Sequence, residues 1–316
     1  MKKYIGIDLG GTNIALGIVG EDKKIKEQMS VPVLAERAAK EGIQDIIFAV
    51  YKLLSQSNLS LNEIETIGIG VPGTANKETG VLEYANNLNM DGEPFIALLE
   101  KEFHKKILFD NDGNAAAWGE YLAGVGQGVS SFMMVTLGTG VGAGIILNGD
   151  IYQGCNYAAG ELGHMVMQMN GRPCTCGRSG CMEAYVSATA LIEMAQEAMK
   201  EERATVLWEM CEGTPALMNG KIVFDAVRKE DFLARKLLAD YVEYLAIGVT
   251  NIINLLQPEM LCIGGGISRS GDLFLPLLKE KVNRWVYTRD SKVKTEITTA
   301  QLYNDAGIIG AAFLPK

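Results

Sequence analysis

One histidine and three cysteines near the middle of the chain have the spacing of a metal site. His164 is followed by Cys174, Cys176 and Cys181 in the pattern H-x9-C-x-C-x4-C. Three thiolates and one imidazole suit a four-coordinate structural Zn²⁺, and clustered thiols in a reducing compartment favour a metal over disulfides. We therefore predict a structural zinc site, with free thiols as the alternative. The remaining cysteines are predicted to be small core residues: Cys155, Cys211 and Cys262.

Glycine-rich turns form the second group of residues that could do chemistry. They are LGGT at 9–12, LGTG at 137–140 and IGGG at 263–266, and each follows a short apolar run. Consecutive glycines expose several N–H donors with little steric bulk, which is what a phosphate needs. Two such turns can hold the two ends of a triphosphate. The predicted nucleotide-binding residues are Asp8, Gly10, Gly11, Thr12, Asn13, Gly138, Thr139, Gly140, Gly264, Gly265 and Gly266.

Two of these predictions have alternatives that the sequence leaves open. Asp8 beside a phosphate turn can hold Mg²⁺ through water, but an aspartate at this place can also cap the turn. The three glycines at 264–266 let a flat base or ribose lie against the backbone. Tight packing of a strand against a helix would require glycine there as well.

A single carboxylate, Asp112, has the position expected of a general base. It follows the strand-like KILFD and precedes the helical NAAAWGE, so it lies at the carboxyl end of a strand, where α/β sheets bind ligands. A carboxylate there can accept the proton of a hydroxyl nucleophile. The alternative is that Asp112 is the helix N-cap, with Asn111 contributing beside it.

The elements that would position these residues alternate between strands and helices, which predicts an α/β fold. Residues 114–124 and 232–256 give the clearest helical patterns. DLGGTNIALGIV begins at Asp8 and TLGTGVGAGIIL begins at Thr136, and both consist of a strand, a Gly/Thr turn and a second strand. This similarity predicts two related halves. Two unrelated glycine hairpins are the alternative, because tight turns demand glycine in any case.

Length, composition and charge narrow the class of protein. A chain of 316 residues exceeds the size at which a single core stops growing, so two domains are expected. The net charge is −9 without a basic block, which argues against nucleic acid as a partner. No apolar run is long enough for a membrane span, and the N-terminus does not read as a signal peptide. We expect a cytoplasmic protein without a membrane partner.

Taken together, the motifs resemble the ROK family, a branch of the sugar kinase and actin-like ATPase superfamily, and within it the bacterial glucokinases most. The matching segments are DLGGTN (8–13), FDNDGNAAAWGE (109–120), LGTGVGAG (137–144), GELGH (160–164), CTCGRSGCME (174–183) and IGGG (263–266). The resemblance implies an α/β fold of two ribonuclease-H-like lobes with a cleft between them. The expected lobes are a small one of residues 1–118, joined by a C-terminal helix at 303–316, and a large one of residues 119–302 carrying the zinc loop.

The resemblance also implies an activity, namely ATP-dependent phosphorylation of a hexose, glucose first, by direct in-line transfer with Asp112 as general base. Mg²⁺ would accompany ATP, Zn²⁺ would be structural, and the partners would be a small-molecule sugar and ATP in a homodimer or homotetramer. The implied substrate-binding residues are Gly73, Asn87, Asn111, Asp112, Glu161, His164 and Glu183.

Other readings of the same resemblance remain open. A sugar-responsive repressor of this family would carry a helix-turn-helix segment before the first strand, and here that strand is expected from residue 4. A sugar sensor without kinase activity is a further alternative. Fructose, mannose, N-acetylmannosamine or a β-glucoside could replace glucose as the substrate.

Overall fold

A computed structural model describes residues 2–10, 13–32, 39–84, 92 and 94–315. The elements of the first part of the chain are β1 (Lys3–Leu9), β2 (Asn13–Gly20), β3 (Ile25–Pro32), α1 (Ala39–Gln56), β4 (Ile64–Val71), β5 (Thr74–Asn76), β6 (Val81–Tyr84), α2 (Phe95–Phe103), β7 (Ile107–Asn111) and α3 (Asp112–Ala123). Those of the second part are β8 (Phe132–Leu137), β9 (Val141–Leu147), β10 (Asp150–Ile151), α4 (Glu183–Val186), α5 (Ala188–Glu201), α6 (Leu207–Met210), α7 (Gly220–Arg228), α8 (Phe232–Leu256), β11 (Met260–Gly264), α9 (Gly271–Trp285), β12 (Glu296–Thr299) and α10 (Asp305–Ala312). Among the residues described, no helix is both long enough and apolar enough to cross a membrane.

The first sheet has the strand order β3-β2-β1-β4-β7. The pairs β1/β2 and β2/β3 are antiparallel, whereas β1/β4 and β4/β7 are parallel. In this register Asp8 lies beside Gly70, and Gly70 lies beside Asp110. Because parallel strands end at the same edge, the carboxyl ends of β1, β4 and β7 bring these residues together, which is where such sheets place ligands.

The second sheet repeats the order of the first, as β10-β9-β8-β11-β12. The consecutive strands β9 and β8 occupy the positions of β2 and β1, and β11 and β12 occupy those of β4 and β7. The pair β9/β10 is antiparallel and β11/β12 is parallel, as in the matching pairs of the first sheet. The two related halves expected from the repeated glycine hairpins are therefore confirmed.

By their internal contacts, the residues group into two compact units. Unit 1 comprises 1–134, 143–160 and 301–316, and unit 2 comprises 135–142 and 161–300. The predicted lobes of 1–118 with 303–316 and of 119–302 stay a prediction, and the units divide the chain differently at 119–134, 143–160 and 301–302. A division after residue 118 would fall inside α3, which runs unbroken to Ala123.

Within unit 1, α10 packs on β1 and β4 at distances that only glycine permits. A Cβ on Gly6 would lie 1.8 Å from the carbonyl oxygen of Ile308, and one on Gly68 would lie 1.8 Å from that of Ala311. Trp118 of α3 donates from its indole nitrogen to the Phe313 carbonyl at 2.7 Å. The C-terminal residues are therefore part of the core of this unit.

We expect Gly6→Ala to destabilise the protein by about 3 kcal/mol, the upper end of the range for overpacking, because the Cβ meets backbone rather than a flexible side chain. Thermal denaturation would show this as a Tm several degrees below that of the wild type. Gly220→Ala is the matched control, since the nearest atom to its Cβ would be Ile267 Cδ1 at an ordinary 3.7 Å. Equal melting temperatures for the wild type and Gly6→Ala would contradict the packing described here.

Candidate active site

Asp112 is the first residue of α3, and Asn111 is the N-cap of that helix. The Asn111 side chain accepts hydrogen bonds from the N–H groups of Gly113 and Asn114, at 2.8 and 3.2 Å. The alternative that Asp112 serves as the N-cap is therefore wrong, because the cap position is already filled. The Asp112 carboxylate accepts from the Gly113 N–H at 2.8 Å and stays partly exposed at the edge of the sheet.

The capping residue Asn111 also connects α3 to the residues that follow β4. Asn111 donates from Nδ2 to the carbonyl of Gly73 at 3.0 Å, and Gly73 has a positive φ of 100° that favours glycine. Gly113 allows a second close approach, since a Cβ there would lie 2.7 Å from the Ala143 carbonyl oxygen. Gly73, Asn111 and Asp112, three of the predicted sugar-binding residues, thus lie together in unit 1.

Asp8 lies at the same sheet edge, next to the start of α10. Burial raises the pKa of its carboxyl to about 6. A Cβ added to Gly307 would lie 2.5 Å from Asp8 Oδ2, so glycine makes room for the carboxylate. The N–H of Gly10 donates to the Asn13 carbonyl at 2.9 Å in the adjoining turn. Gly11 and Thr12, predicted to hold phosphate, lie outside the described residues.

The raised pKa of Asp8 predicts a pH-dependent effect of Asp8→Asn. An acid whose pKa is higher in the folded than in the unfolded state stabilises the fold while protonated, and that stability is lost as the pH rises towards the folded value. We expect the variant and the wild type to have similar Tm values near pH 4. Above pH 6 the variant should be the more stable, when scanned without Mg²⁺ or nucleotide.

Asp22→Asn is the control of opposite sign, because its hydrogen bond with Lys26 lowers the pKa of Asp22. That variant should be less stable than the wild type above about pH 4, and the difference should disappear as the pH falls below that value. A constant Tm difference for Asp8→Asn across the pH range would contradict the burial of this carboxylate.

Two of the predicted phosphate turns meet within unit 2. Gly265 has a positive φ of 75°, and a Cβ on it would lie 2.3 Å from the Leu137 carbonyl oxygen. Close packing against the backbone at the end of β8 therefore requires glycine at Gly265, whereas the alternative expected from the sequence was packing of a strand against a helix. Gly138 and Gly266 differ, since a Cβ on either would meet no atom within 4 Å. Their backbone is open to a ligand, and the Thr139 side chain is exposed beside them.

The four predicted metal ligands converge in unit 2. The candidate ligand atoms of His164, Cys174, Cys176 and Cys181 all lie within 4.8 Å of one another. His164 Nδ1 lies 3.6 Å from Cys174 Sγ, and the sulfurs of Cys176 and Cys181 are 3.7 Å apart. Zn–S bonds of about 2.3 Å in a tetrahedron put sulfurs about 3.8 Å apart, so the cluster has the dimensions of a zinc site.

The environment of the thiols fits a metal as well. Burial raises the pKa of Cys181 to about 12, whereas the N–H of Arg178 lowers that of Cys176. A buried thiol of this kind forms a thiolate only with a cation to stabilise it, and metal ligation supplies one. The histidine presents its other nitrogen to a different neighbour, since Nε2 lies 3.9 Å from Glu161 Oε2.

Glu183 connects the loop that carries the predicted metal ligands, residues 164–181 (the metal loop), with the predicted phosphate turn at 137–140. Its Oε2 accepts from the Val141 N–H at 2.9 Å and its Oε1 from the Thr175 hydroxyl at 3.1 Å. Glu183 is also the first residue of α4. The side chain of Glu161, by contrast, is exposed. Asn87, the remaining predicted sugar-binding residue, lies outside the described part of the chain.

A buried acid that was not among the predicted site residues lies next to Asn111 and Asp112 in unit 1. Asp110 is 1% exposed and accepts hydrogen bonds from the side chains of Gln153 and Asn114. Asp110 is the last residue of the strand-like KILFD, so the sequence pattern indicated only a strand residue. Its position two residues before Asp112 is the one sequence feature that could have indicated a role near the site.

The model of the ROK family matches residues 4–316, nearly the whole chain. The chain belongs to the ROK family. Two similar proteins carry the name glucokinase. That of Thermotoga maritima is 35% identical over 316 residues, covering 99% of this chain and 97% of the relative. That of Halalkalibacterium halodurans is 34% identical over 314 residues, covering 99% and 94%.

A solved ROK structure shares the fold over the full length. The ROK glucokinase of Streptomyces griseus, crystallised with glucose and AMPPNP, superposes with a TM-score of 0.86 at 30% identity and covers 98% of each chain. The expected α/β fold of two actin-like ATPase lobes is thereby confirmed, as is membership of the ROK family.

Proposed function

We propose that this protein phosphorylates glucose with ATP to give glucose 6-phosphate and ADP. The observation that carries the proposal is the position of Asp112, on a sheet edge that Asn111 and Gly73 hold in place, in a chain similar over its full length to glucokinases. A sugar hydroxyl is a poor nucleophile at neutral pH, and a positioned carboxylate is the usual remedy.

In this mechanism Asp112 accepts the proton of the sugar 6-hydroxyl. The oxygen then forms its bond to the γ-phosphorus as the bond from that phosphorus to the bridging oxygen of ADP breaks. Catalysis is mainly positioning and charge stabilisation, with no covalent enzyme intermediate. Asp8 would hold Mg²⁺ through water, and the cation would neutralise charge on the phosphates. The open turns at Gly138 and Gly266 would bind the nucleotide.

The metal loop would orient the sugar. Zn²⁺ is proposed to bind His164 through Nδ1 together with the three cysteines, and His164 Nε2 would then face the sugar beside Glu161. A metal-bound imidazole keeps a fixed orientation, and this makes the hydrogen bond to a sugar hydroxyl directional. Gly73, Asn87, Asn111 and Glu183 are proposed to complete the sugar site.

Location and assembly are further proposals. A kinase that uses ATP works where ATP is abundant, which places this one in the cytoplasm. We propose a homodimer or homotetramer, and light scattering after size-exclusion chromatography measures the mass that decides between them and a monomer of 34.2 kDa.

A panel of sugars in a coupled assay of ADP release tests the proposed function. We expect glucose to give the highest kcat/KM, with fructose, mannose and N-acetylmannosamine well below it, and little ADP release without sugar. Sugar binding by calorimetry without any sugar-stimulated ADP release would instead support the sensor. A higher kcat/KM for another hexose would overturn glucose as the substrate.

A further inference from the structure

The carboxylate of Asp110 is fully hydrogen-bonded inside unit 1. Oδ1 accepts from the Asn111 N–H at 2.8 Å and from Asn114 Nδ2 at 2.9 Å. Oδ2 accepts from Gln153 Nε2 at 2.6 Å and from Lys77 Nζ at 2.7 Å. Each oxygen therefore has two donors, which is about the number that a carboxylate oxygen can use.

These donors come from three separate segments of the chain. Lys77 lies in the turn that joins β5 to β6, Asn114 lies in the first turn of α3, and Gln153 follows β10. Asp110 itself lies in β7, one residue before the N-cap Asn111 and two before Asp112. The Asp110 carboxylate thus joins the end of β7, which precedes the proposed base Asp112, to two segments that are distant in sequence, those of Lys77 and Gln153.

Stability alone does not account for this arrangement. The Asp110 side chain is 2% exposed and that of Lys77 is 23% exposed, so both charges are largely removed from water. Replacing such a buried pair with apolar residues of similar volume is often neutral or stabilising, because the desolvation cost is large. A buried ion pair does, however, hold its two side chains in one arrangement. Such rigidity matters near a general base, because a small displacement of the base from its reactive position lowers the rate strongly.

We propose that Asp110, held by Lys77 and Gln153, is a positioning residue that sets the place of the Asp112 carboxylate. This role rests on the proposed function, since it presumes that Asp112 is the base. Asp110 does not touch the reacting atoms. It acts through the strand end at Asn111, whose side chain caps α3 and holds the Gly73 carbonyl.

Lys77→Met tests the proposal, because it removes the charged donor and leaves Asp110 three other hydrogen bonds. We expect kcat per folded molecule to fall by about 10–100-fold, with KM for ATP little changed, since displacement of about 1 Å can cost 10²-fold. Lys77→Arg should restore most of the kcat, because a guanidinium can still donate to Asp110. Lys281→Met, which removes a similar lysine from Glu243 in unit 2, is the matched control and should keep its kcat.

A double-mutant cycle separates positioning from a general loss of structure. In the Asp112→Asn background the Lys77→Met change should have no further effect on kcat, since its effect acts through Asp112. Multiplicative losses, or a Lys77→Met protein with normal kcat, would overturn the positioning role alone. A normal kcat for Asp112→Asn by itself would instead overturn the proposed base, and the positioning role with it.

Gln153→Leu is a second variant for the case in which Lys77→Met does not fold. It removes a neutral donor from the same oxygen, so a smaller loss of kcat with the same unchanged KM for ATP is expected. A loss of Tm without any loss of kcat per folded molecule, in both variants, would show that the network is only structural.

Discussion

Asp112→Asn is expected to lower kcat by about 10²–10⁴-fold, the usual contribution of a general base. The amide has the size of the carboxylate and can still hydrogen-bond a sugar hydroxyl, but it cannot accept the proton. Glucose affinity should therefore stay close to that of the wild type. Coupled ADP assays measure the loss of turnover, and titration calorimetry without ATP measures glucose binding.

We expect the Asp112→Asn variant to fold, because the substitution does not remove the N-cap of α3. Asn111 supplies the N-cap of α3, so the change at the next residue leaves the cap hydrogen bonds in place. Asp272→Asn is a matched control, because it makes the same change in the first turn of α9. Loss of glucose binding with retained turnover would contradict the assignment of Asp112 as the base.

Loss of the proposed zinc should have the second-largest effect. Cys176→Ser leaves three of the proposed zinc ligands, because a serine hydroxyl is a poor zinc ligand. The free energy of binding a structural zinc ion adds directly to the free energy of folding. We expect the zinc content to fall from one per chain towards zero, and a clearly lower Tm. If the metal loop orients His164 as proposed, KM for glucose should rise by about 10–100-fold, the range by which changes around metal ligands reduce metal affinity or activity.

Elemental analysis, thermal denaturation and initial rates measure these three quantities on one preparation. Cys155→Ser is the control, since Cys155 lies outside the cluster and is exposed, so that its prediction as a core residue was wrong, whereas Cys211 and Cys262 are buried. It should keep the zinc, the Tm and the KM of the wild type. A zinc-free protein with full activity and an unchanged Tm would refute the structural role of the metal.

Short-range patterns were sufficient to predict several features. The ligand atoms of His164 and the three cysteines come from a segment of eighteen residues, 164–181, and a short loop rich in glycine has few ways to fold around an ion. The helix at 232–256 was predicted at its observed bounds, because its apolar periodicity is long and unbroken. The repeated hairpins predicted two related halves, since the turn chemistry fixes strand pairing locally, and the equal strand order of the two sheets agrees with that prediction.

Contacts between residues distant in sequence could be decided only by the tertiary structure. Whether Asn111 or Asp112 caps α3 depends on backbone geometry at the strand end, and both residue types suit the position. Gly265 packs against the Leu137 backbone, although its motif suggested a nucleotide contact. Asp110 gains its partners from Lys77 and Gln153, and neither is close to it in sequence.

The sequence by itself determined the family, the four side chains that converge as candidate metal ligands and the strand-end position of Asp112, because each depends on residue types at short fixed spacings. The tertiary structure decided which carboxylates are buried, which glycines are required for packing and which side chains hold the strand end at Asp112. Those properties depend on how segments far apart in the chain pack together, and a one-dimensional pattern does not contain that packing.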